Sequence, residues 1–398
     1  MLEENKNIEV INNVIKLQDG TLFLRQKNRG QFQFEYLTGQ KKISPKSIFN
    51  FKKNIKRNKE YCDKKNINYL HVIFPCKAVA YRNRFKDIGV DINPIVTEEH
   101  LNVDGVYYPN LDDIAEDWFL KTDTHCSYKG RLSIIKDIMK HISIVFPDIA
   151  FDIRESKSSS PGDLGRMIDN PPVKRESISF KINSDIHHFA LDNKNVLSGN
   201  TGGMLLKVNT LAPIKKRVAI FGDSFFVGTM EILSIFFEEV FYMREAFIIQ
   251  EVANCLEPDL IFTGNAERYL HDVKDAEKTT PYFIKLLSVN ADMSKLGDKD
   301  KNAFLSFFEP KKSDKYKNWF LKLNLNLMLN NGDIDTIKAL TLTSLDINMI
   351  RDYAVSIEDN NTRLAYDLML IAYNARPNGP FIKQKVQLYK QKIDCNLP

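Results

Sequence analysis

The sequence of 398 residues lacks any apolar run of about 18 residues, the length that a membrane-spanning helix needs. Its first residues, Met1 to Ile8, lack the basic segment followed by an apolar one that is typical of a secretory signal. Cysteines are few: the five are scattered, odd in number and without paired spacing, so they predict reduced thiols rather than disulfides or a metal site. We therefore expect a protein of the cytoplasm, or one peripheral to the inner membrane, with no membrane span.

The chain also lacks a strong excess of either charge, with 56 Lys and Arg against 51 Asp and Glu. Its longest basic run, between Phe51 and Glu60, has the spacing of an exposed helix face and carries no aromatic platform or known nucleic-acid motif. A nucleic-acid partner is therefore not expected. The length exceeds what one hydrophobic core usually organises, which predicts one large domain and a smaller one.

Apolar strand-like segments alternate with helical ones in the middle of the chain. The predicted elements are a helix at 44–65, a strand at 67–74, a strand at 217–221, a helix at 226–238, a strand at 240–243, a helix at 246–256 and a strand at 260–263. Strands this apolar, separated by helices, predict an α/β fold with a parallel sheet that is covered by helices on both faces.

Two other segments of the first 300 residues show weaker patterns. Residues 8–24 predict two short strands joined by a turn at Asp19 and Gly20. Residues 153–175 are polar and contain a run rich in Ser, Pro and Gly, which predicts a loop.

Beyond residue 300 the strand-like runs end and helical patterns take over. The stretch from Thr362 to Pro377 resembles a tetratricopeptide half-repeat, and residues 380–392 form the next helical pattern. We therefore expect one α/β domain at 1–300 and an all-α, tetratricopeptide-like domain at 301–398, where a partner protein could dock.

Ligand sites in parallel sheets form beyond the carboxyl ends of the strands. That rule selects the end of the 217–221 strand, Gly222-Asp223-Ser224, together with Arg244 and Asn265, which follow two later strands. Ser224 is expected on a tight turn at the positive end of a helix, where its N–H can stabilise an oxyanion. An ordinary helix-capping serine is the alternative reading of the same position.

A nucleophilic serine needs a base, and the base needs a carboxylate that fixes its tautomer. Asp123 and His125 supply this pair if the segment between them is extended, because residues two apart then share a face. A surface loop with an incidental Asp and His is the alternative. A metal site is not expected, because the other histidines have no ligand-like spacing with His125.

These motifs occur in an order that resembles the alginate O-acetyltransferase family of bacterial polysaccharide acetylation proteins, a branch of the SGNH hydrolases. The resemblance covers roughly residues 10–272. The matching segments are Gln18–Leu24 for the opening element, Val72–Lys77 for a strand ending in Pro-x-Lys, Lys121–Cys126 for the Asp-Thr-His signature, Gly162–Met167 for a Gly-Asp-Leu element, Ala219–Phe225 for the serine block and Pro258–Arg268 for a later strand.

The resemblance implies an SGNH-like sheet fold and a polysaccharide O-acetyltransferase in which Ser224, His125 and Asp123 form a catalytic triad. It implies an acetyl-serine intermediate and a surface polysaccharide, capsular or exopolysaccharide, as acceptor. With no export signal, acetyl-coenzyme A is the expected donor, and no bound cofactor is expected. Oxyanion or substrate binding is expected from Asn265, Gly222 and Arg244, although for Arg244 a salt bridge with a nearby acid explains its position equally well.

Two residues depart from the family pattern, and two other functions are alternatives to acetyl transfer. Cys126 and Thr21 stand where the family has Trp, so the contacts of those aromatic rings with sugar are missing here. A carbohydrate acetyl esterase would use the same triad with water as acceptor. A non-catalytic glycan-binding protein is the third reading, against which the complete triad argues.

Overall fold

The computed structural model describes residues 5–27, 31–147, 152–168, 175–183, 189–194, 202–278, 306, 308–309, 311–314, 317 and 325–395. The chain divides into two compact units, Met1–Gly297 and Asp298–Pro398. Each unit has an apolar core of its own.

The described residues form strands and helices in the following order. The strands are β1 (Ile8–Ile11), β2 (Val14–Leu17), β3 (Leu22–Leu24), β4 (Gln26–Lys27), β5 (Gln31–Phe32), β6 (Asn68–Phe74), β7 (Val106–Tyr107), β8 (Asp152–Ser160), β9 (Arg175–Asn183), β10 (Phe189–Asp192), β11 (Met204–Val208), β12 (Ile214–Gly222), β13 (Phe237–Met243) and β14 (Leu260–Ala266). The α-helices are α1 (Gln33–Leu37), α2 (Pro45–Asp63), α3 (Lys77–Ala80), α4 (Arg82–Asp87), α5 (Glu98–Leu101), α6 (Tyr128–His141), α7 (Gly162–Ile168), α8 (Phe225–Phe236), α9 (Gln250–Leu256), α10 (Leu325–Asn331), α11 (Ile334–Lys338), α12 (Ser344–Ser356), α13 (Thr362–Ala375) and α14 (Pro380–Cys395).

A seven-stranded sheet, in the order β10-β11-β13-β12-β14-β6-β7, forms the centre of the first unit. Residues Arg217 to Gly222 of β12 are buried at consecutive positions, so both faces of this strand are covered. The chain leaves β12 through α8 to β13 on one side, and returns through α9 to β14 on the other side. The carboxyl end of β12 is therefore a topological switch point, the place where α/β sheets bind ligands.

The sheet is mostly parallel rather than wholly parallel as expected. Strands β13, β12, β14, β6 and β7 are parallel to one another, whereas β11 pairs antiparallel with both β13 and β10. Residues 209–213 connect β11 to β12, and so short a connection cannot make the crossover that parallel strands need. The edge formed by β10 and β11 is antiparallel for this reason.

Two segments differ from their sequence-based expectation. The polar stretch 153–175, predicted as a loop, contains β8 and α7, and β8 pairs antiparallel with β9. Its polar composition hid the strand, because a strand without an apolar face has no alternating hydrophobic pattern. In residues 8–24 there are three antiparallel strands rather than two, because a further turn at Asn12, with a φ of 53°, separates β1 from β2.

The second unit is helical where it is described. Neighbouring helices α12, α13 and α14 pack in sequence, and their core includes Leu368, Ala372 and Tyr389. The similarity to tetratricopeptide repeats stays a prediction. Among the described residues of the whole chain, none of the helices combines the length and apolarity needed to cross a membrane.

Candidate active site

The turn after β12 places Ser224 at the start of α8. Strands β12 and β14 pair so that Gly222 lies opposite Gly264. A Cβ atom at Gly222 would lie 2.5 Å from the Phe226 ring and 2.7 Å from the Gly264 carbonyl oxygen. Only glycine fits at such a close approach, so the chain turns tightly at the strand end and brings Ser224 above the sheet.

Asp223 fixes this turn to the neighbouring strand. Its Oδ1 accepts a hydrogen bond from the Phe225 N–H at 2.9 Å, and its Oδ2 accepts one from the Ala266 N–H at 2.9 Å. The Tyr242 hydroxyl donates to the carbonyl oxygens of Gly222 and Asp223, at 3.2 and 3.1 Å. The backbone on both sides of the serine is thus held by β13 and β14.

The Ser224 hydroxyl does not cap the helix, which answers the alternative reading of this position. It makes no capping hydrogen bond, and its Oγ lies 2.9 Å from Nε2 of His125. Within the described part of the chain, the Ser224 N–H has no hydrogen-bond partner. This N–H is a free donor at a helix N-terminus, as an oxyanion requires.

His125 is oriented by Asp123. Its Nδ1 lies 2.7 Å from Asp123 Oδ1, and the same oxygen accepts the His125 backbone N–H at 2.9 Å. Burial alone would raise the pKa of Asp123, but the hydrogen bonds from His125 and the Asp163 N–H, with the charge of His125, hold it well below its usual range. An ionised carboxylate only accepts, so Nδ1 donates its proton to Asp123, and Nε2 is the ring nitrogen that meets the Ser224 hydroxyl.

The first turn of α7 supports the Asp123 carboxylate. The Asp163 N–H donates to Asp123 Oδ2 at 3.1 Å, and the Leu164 N–H donates to the Thr122 carbonyl oxygen at 3.2 Å. Gly162 has a φ of 66°, and a Cβ there would lie 2.1 Å from the Thr122 carbonyl oxygen. Glycine therefore lets α7 press directly against the loop that carries Asp123.

A second carboxylate, that of Asp163, lies beside the histidine. Its Oδ1 accepts from the Thr124 N–H at 2.8 Å, and its Oδ2 is 3.7 Å from His125 Nδ1. Burial, together with the negative charge of Asp123, raises the pKa of Asp163. Asp163, Asp123 and His125 are close enough to surround a cation. Metal binding by Nδ1 would, however, displace the proton that it donates to Asp123.

Lys77, at the start of α3, holds the backbone of the loop that carries Asp123 and His125. Its Nζ donates to the carbonyl oxygens of Leu120, Lys121 and Asp123, at 2.6, 2.8 and 3.3 Å. Burial lowers the pKa of Lys77 to about 7, against the opposing effect of the charge on Asp123. The side chain acts on the loop backbone rather than on the reacting atoms.

Cys126 is buried beneath the loop and does not lie at its surface. It is 2% exposed, and burial raises the pKa of its thiol to about 12. A thiol with so high a pKa is not a competing nucleophile at neutral pH.

The other predicted site residues, Gly222, Arg244 and Asn265, line one cavity at the carboxyl edge of the sheet. Asn265 uses one amide N–H to donate to the Ala266 carbonyl oxygen at 2.8 Å. Arg244 has no acidic partner within 4 Å in the part of the chain that is described, so the expected alternative of a salt bridge is not formed there. An oxyanion or substrate role for these three residues stays a prediction.

Sequence reasoning did not assign site roles to Lys77, Asp163 or Asp223. The first two stand in the Pro-x-Lys and Gly-Asp-Leu segments, which were matched only as landmarks of the family resemblance. Their contacts with the Asp-Thr-His loop join residues about 40 positions apart, and no local pattern reports such contacts. Asp223 is adjacent to the nucleophile and was read only as part of its turn.

Comparison with known proteins leaves the family open. No protein-family model matches the chain, and no curated protein matches it significantly. Solved structures with similarity include Bacillus cereus PatB1 with a sulfonyl adduct, at 14% identity, a TM-score of 0.48, and coverage of 65% of this chain and 97% of that one. A DHHW family protein from Eubacterium siraeum matches at 10% identity and a TM-score of 0.44, covering 68% of this chain and 96% of that one.

The O-acetyltransferase domain of Pseudomonas putida AlgJ is also similar, at 14% identity and a TM-score of 0.42, with coverage of 69% of this chain and 98% of that one. The similarity is therefore to structures that include an O-acetyltransferase domain. At identities and TM-scores this low, the similarity carries no argument about chemistry, and only the geometry of the site itself supports a chemical role.

Proposed function

We propose that the chain is an O-acetyltransferase that moves an acetyl group through an acetyl-serine intermediate to a hydroxyl of a bacterial surface polysaccharide. The observation that supports acyl transfer is the continuous relay from Asp123 through His125 to Ser224, with distances of 2.7 and 2.9 Å. Both distances are within hydrogen-bond reach, the first requirement for an activated serine nucleophile.

In the proposed first step, Ser224 Oγ attacks the acyl carbon of the donor while His125 Nε2 takes the hydroxyl proton. The Ser224 N–H stabilises the oxyanion, and a donor of this kind contributes about 10²–10³ to the rate. Collapse of the tetrahedral intermediate breaks the bond to the leaving group, which takes the proton from His125. The acetyl group then forms an ester with Ser224.

In the second step, His125 removes the proton from an acceptor hydroxyl, whose oxygen attacks the acetyl-serine. The Ser224 Oγ leaves and recovers its proton from His125, so the enzyme returns to its starting state. Asp123 stays ionised throughout and stabilises the imidazolium that forms in each step.

The identity of donor and acceptor comes from the resemblance of the sequence to polysaccharide acetylation proteins. Acetyl-coenzyme A is the proposed donor, and a capsular or exopolysaccharide is the proposed acceptor. The helical unit beyond residue 300 is the proposed docking surface for a polysaccharide-assembly protein.

Mass spectrometry of the acyl-enzyme tests the proposal. The protein is mixed with p-nitrophenyl acetate or acetyl-coenzyme A, quenched in acid and digested, and the peptide that contains Ser224 is expected to gain one acetyl group. Ser224→Ala is expected to abolish both the gain and product formation, because the hydroxyl is the nucleophile. His125→Ala is expected to lose nearly as much, since triad residues act as a unit.

The control is thermal unfolding of Ser224→Ala, which is expected to match the unsubstituted protein because removing one hydroxyl opens no large cavity. A Ser224→Ala protein that keeps more than a few per cent of the rate would refute the covalent mechanism. Adding polysaccharide and detecting acetyl esters by NMR then separates a transferase from an esterase, which would release only acetate.

A further inference from the structure

A cavity of about 600 Å³ adjoins the nucleophile turn and has no part in the steps above. Gly222 and Asp223 at the end of β12, and Gly264 and Asn265 at the end of β14, form part of its lining. Ala246, which is exposed, lies at its rim, so the cavity opens to solvent. Its volume falls within the ~300–1,000 Å³ that small-molecule sites occupy.

The inner wall of the cavity holds a buried polar atom without a partner. His71 is 6% exposed, and its Nδ1 lies 2.9 Å from the Thr263 hydroxyl. Its Nε2 is buried and forms no hydrogen bond within the described residues. Burial lowers the pKa of His71 to about 3, so the ring is neutral at neutral pH. His71 lines the cavity, and an unpartnered neutral imidazole nitrogen at its wall suits a ligand hydroxyl, which both donates and accepts.

Aromatic side chains complete the wall. Phe51, Phe247 and Tyr269 line the cavity, as does Asn58, whose amide nitrogen donates to the Tyr69 hydroxyl at 3.0 Å. Rings and amides together fit a ligand with apolar C–H faces and polar edges. A pyranose ring has both features.

The charges of the lining argue against a ligand that carries several phosphates. Lys274 is paired with Asp272 at 2.7 Å, and the Asp223 carboxylate already accepts two backbone N–H groups. Arg244 is the one basic lining residue that has no acidic partner within 4 Å in the described ranges. With that pair set aside, one cation beside two acidic residues does not neutralise the phosphates of a coenzyme A molecule.

We propose that this cavity binds the glycan segment that presents its hydroxyl to Ser224, with His71 Nε2 bonded to a second hydroxyl of the same segment. The inference deepens the proposed acyl transfer and rests on it. It places the acceptor at the ends of β12 and β14, and it requires the nucleotide part of the donor to bind elsewhere.

Binding of trisaccharides to the Ser224→Ala protein tests this, because it needs no acyl chemistry. Maltotriose, chitotriose and tri-galacturonate supply neutral, acetamido and acidic pyranoses, and saturation-transfer NMR reports their binding. At least one is expected to bind at millimolar concentration. Adding Ala246→Trp at the rim is expected to weaken it at least tenfold. Lys46→Trp, in a smaller neighbouring cavity, is the matched control and is expected to change nothing.

A second pair of variants isolates the buried nitrogen. His71→Asn keeps a polar atom near the position of Nδ1 but removes Nε2, and is expected to weaken binding several-fold. His71→Gln, whose amide reaches the position of Nε2, is expected to restore most of it. Thermal unfolding checks that both proteins are folded.

Three results would overturn the inference: no binding by any of the three trisaccharides, binding that Ala246→Trp leaves unchanged, or coenzyme A binding that Ala246→Trp removes. Failure of acyl transfer is a separate result. If a trisaccharide binds in the cavity but the Ser224 peptide is never acetylated, the proposed function fails and the glycan site stands.

Discussion

The two sides of the triad are held in place by different means. Ser224 stands on a turn between β12 and α8, and the strands beside β12 fix that turn through Asp223 and Tyr242. His125 and Asp123 stand on a loop that belongs to no sheet. Hydrogen bonds from Lys77, α7 and β3 hold this loop, the last through the Leu22 N–H, which donates to the Lys121 carbonyl oxygen at 3.0 Å.

This difference indicates which side of the triad a single substitution displaces more easily. Each support of the serine is one of several parallel contacts within a buried sheet, so losing one leaves the others. Each support of the histidine loop is a separate element from a distant part of the sequence. A displacement of about 1 Å costs up to ~10²-fold in rate, so single substitutions are expected to damage the loop side more than the serine side.

Among the supports of the triad, the largest effect is expected from Gly162→Ala. Its Cβ would overlap the Thr122 carbonyl oxygen at 2.1 Å, so either α7 or the loop must move, and Asp123 would lose the Asp163 N–H. Activity on p-nitrophenyl acetate is expected to fall about 10²-fold. Overpacking and the positive φ together are expected to cost ~2–4 kcal/mol of unfolding free energy, measured by urea denaturation.

Gly39→Ala is the matched control, because Gly39 also has a positive φ, 73°, but has nothing within 4 Å of a Cβ. Its unfolding free energy is expected to fall by only ~1 kcal/mol, the cost of placing alanine at a positive φ, and its activity is expected to stay complete. Equal losses in the two variants would mean that the backbone conformation, rather than the contact with the catalytic loop, makes Gly162 necessary.

The same contrast explains what the sequence could and could not predict. The strand, the turn and the helix around Ser224 are consecutive in the chain, and their apolar pattern with Gly222 identifies them directly. The distance from Ser224 Oγ to His125 Nε2, 2.9 Å, lies inside the ~4 Å expected for a loosely formed pair.

The supports of the loop have no such local pattern. Asp163 lies at the start of α7 in a polar segment that was predicted as a loop, because a helix of 7 residues is too short to show a helical period. The antiparallel edge at β11 was not predicted, because the composition of a strand does not report the direction of its neighbour. The cavity around His71 depends on residues of α2, β6, β12 and β14 together, and only the folded chain assembles them.

A smaller effect is expected from Lys77→Met, which keeps the apolar stem but removes three donors to loop carbonyl oxygens. Each carbonyl left without a partner costs ~1–3 kcal/mol, and the loop is expected to relax. We expect kcat for p-nitrophenyl acetate to fall about 10–30-fold, with KM nearly unchanged, because the substrate does not touch Lys77.

Tyr242→Phe is its counterpart on the serine side. It removes the hydroxyl that donates to the Gly222 and Asp223 carbonyl oxygens, and should cost ~0.5–1.5 kcal/mol of stability. Its kcat is expected to change little, because Asp223 and the β12–β14 pairing still hold the turn. If Tyr242→Phe lowers kcat more than Lys77→Met does, the proposed difference between the two sides is wrong.

The effect of pH is on stability rather than on the rate, and it compares two buried histidines with Asp123. Burial lowers the pKa of His71, on β6, to about 3 and that of His100, on α5, to about 4. An unfolded histidine titrates near ~6.5. Below that pH the unfolded chain binds protons that the folded chain does not, so these residues stabilise the fold above ~6.5 and lose that contribution as the pH falls.

On the loop side, the pKa of Asp123 is lowered from an unfolded value near ~3.9, so its contribution is lost only below about that pH. Acid is therefore expected to lower the stability through these histidines before it protonates Asp123. Between pH 6.5 and 5, the unfolding free energy should fall by up to ~1.4 kcal/mol per pH unit for each histidine. Urea denaturation of His71→Asn at several pH values isolates one of them, because this variant should show a shallower slope in that window. An unchanged slope would mean that the folded and unfolded chains protonate His71 at the same pH, so that burial of this ring does not contribute to the loss of stability in acid.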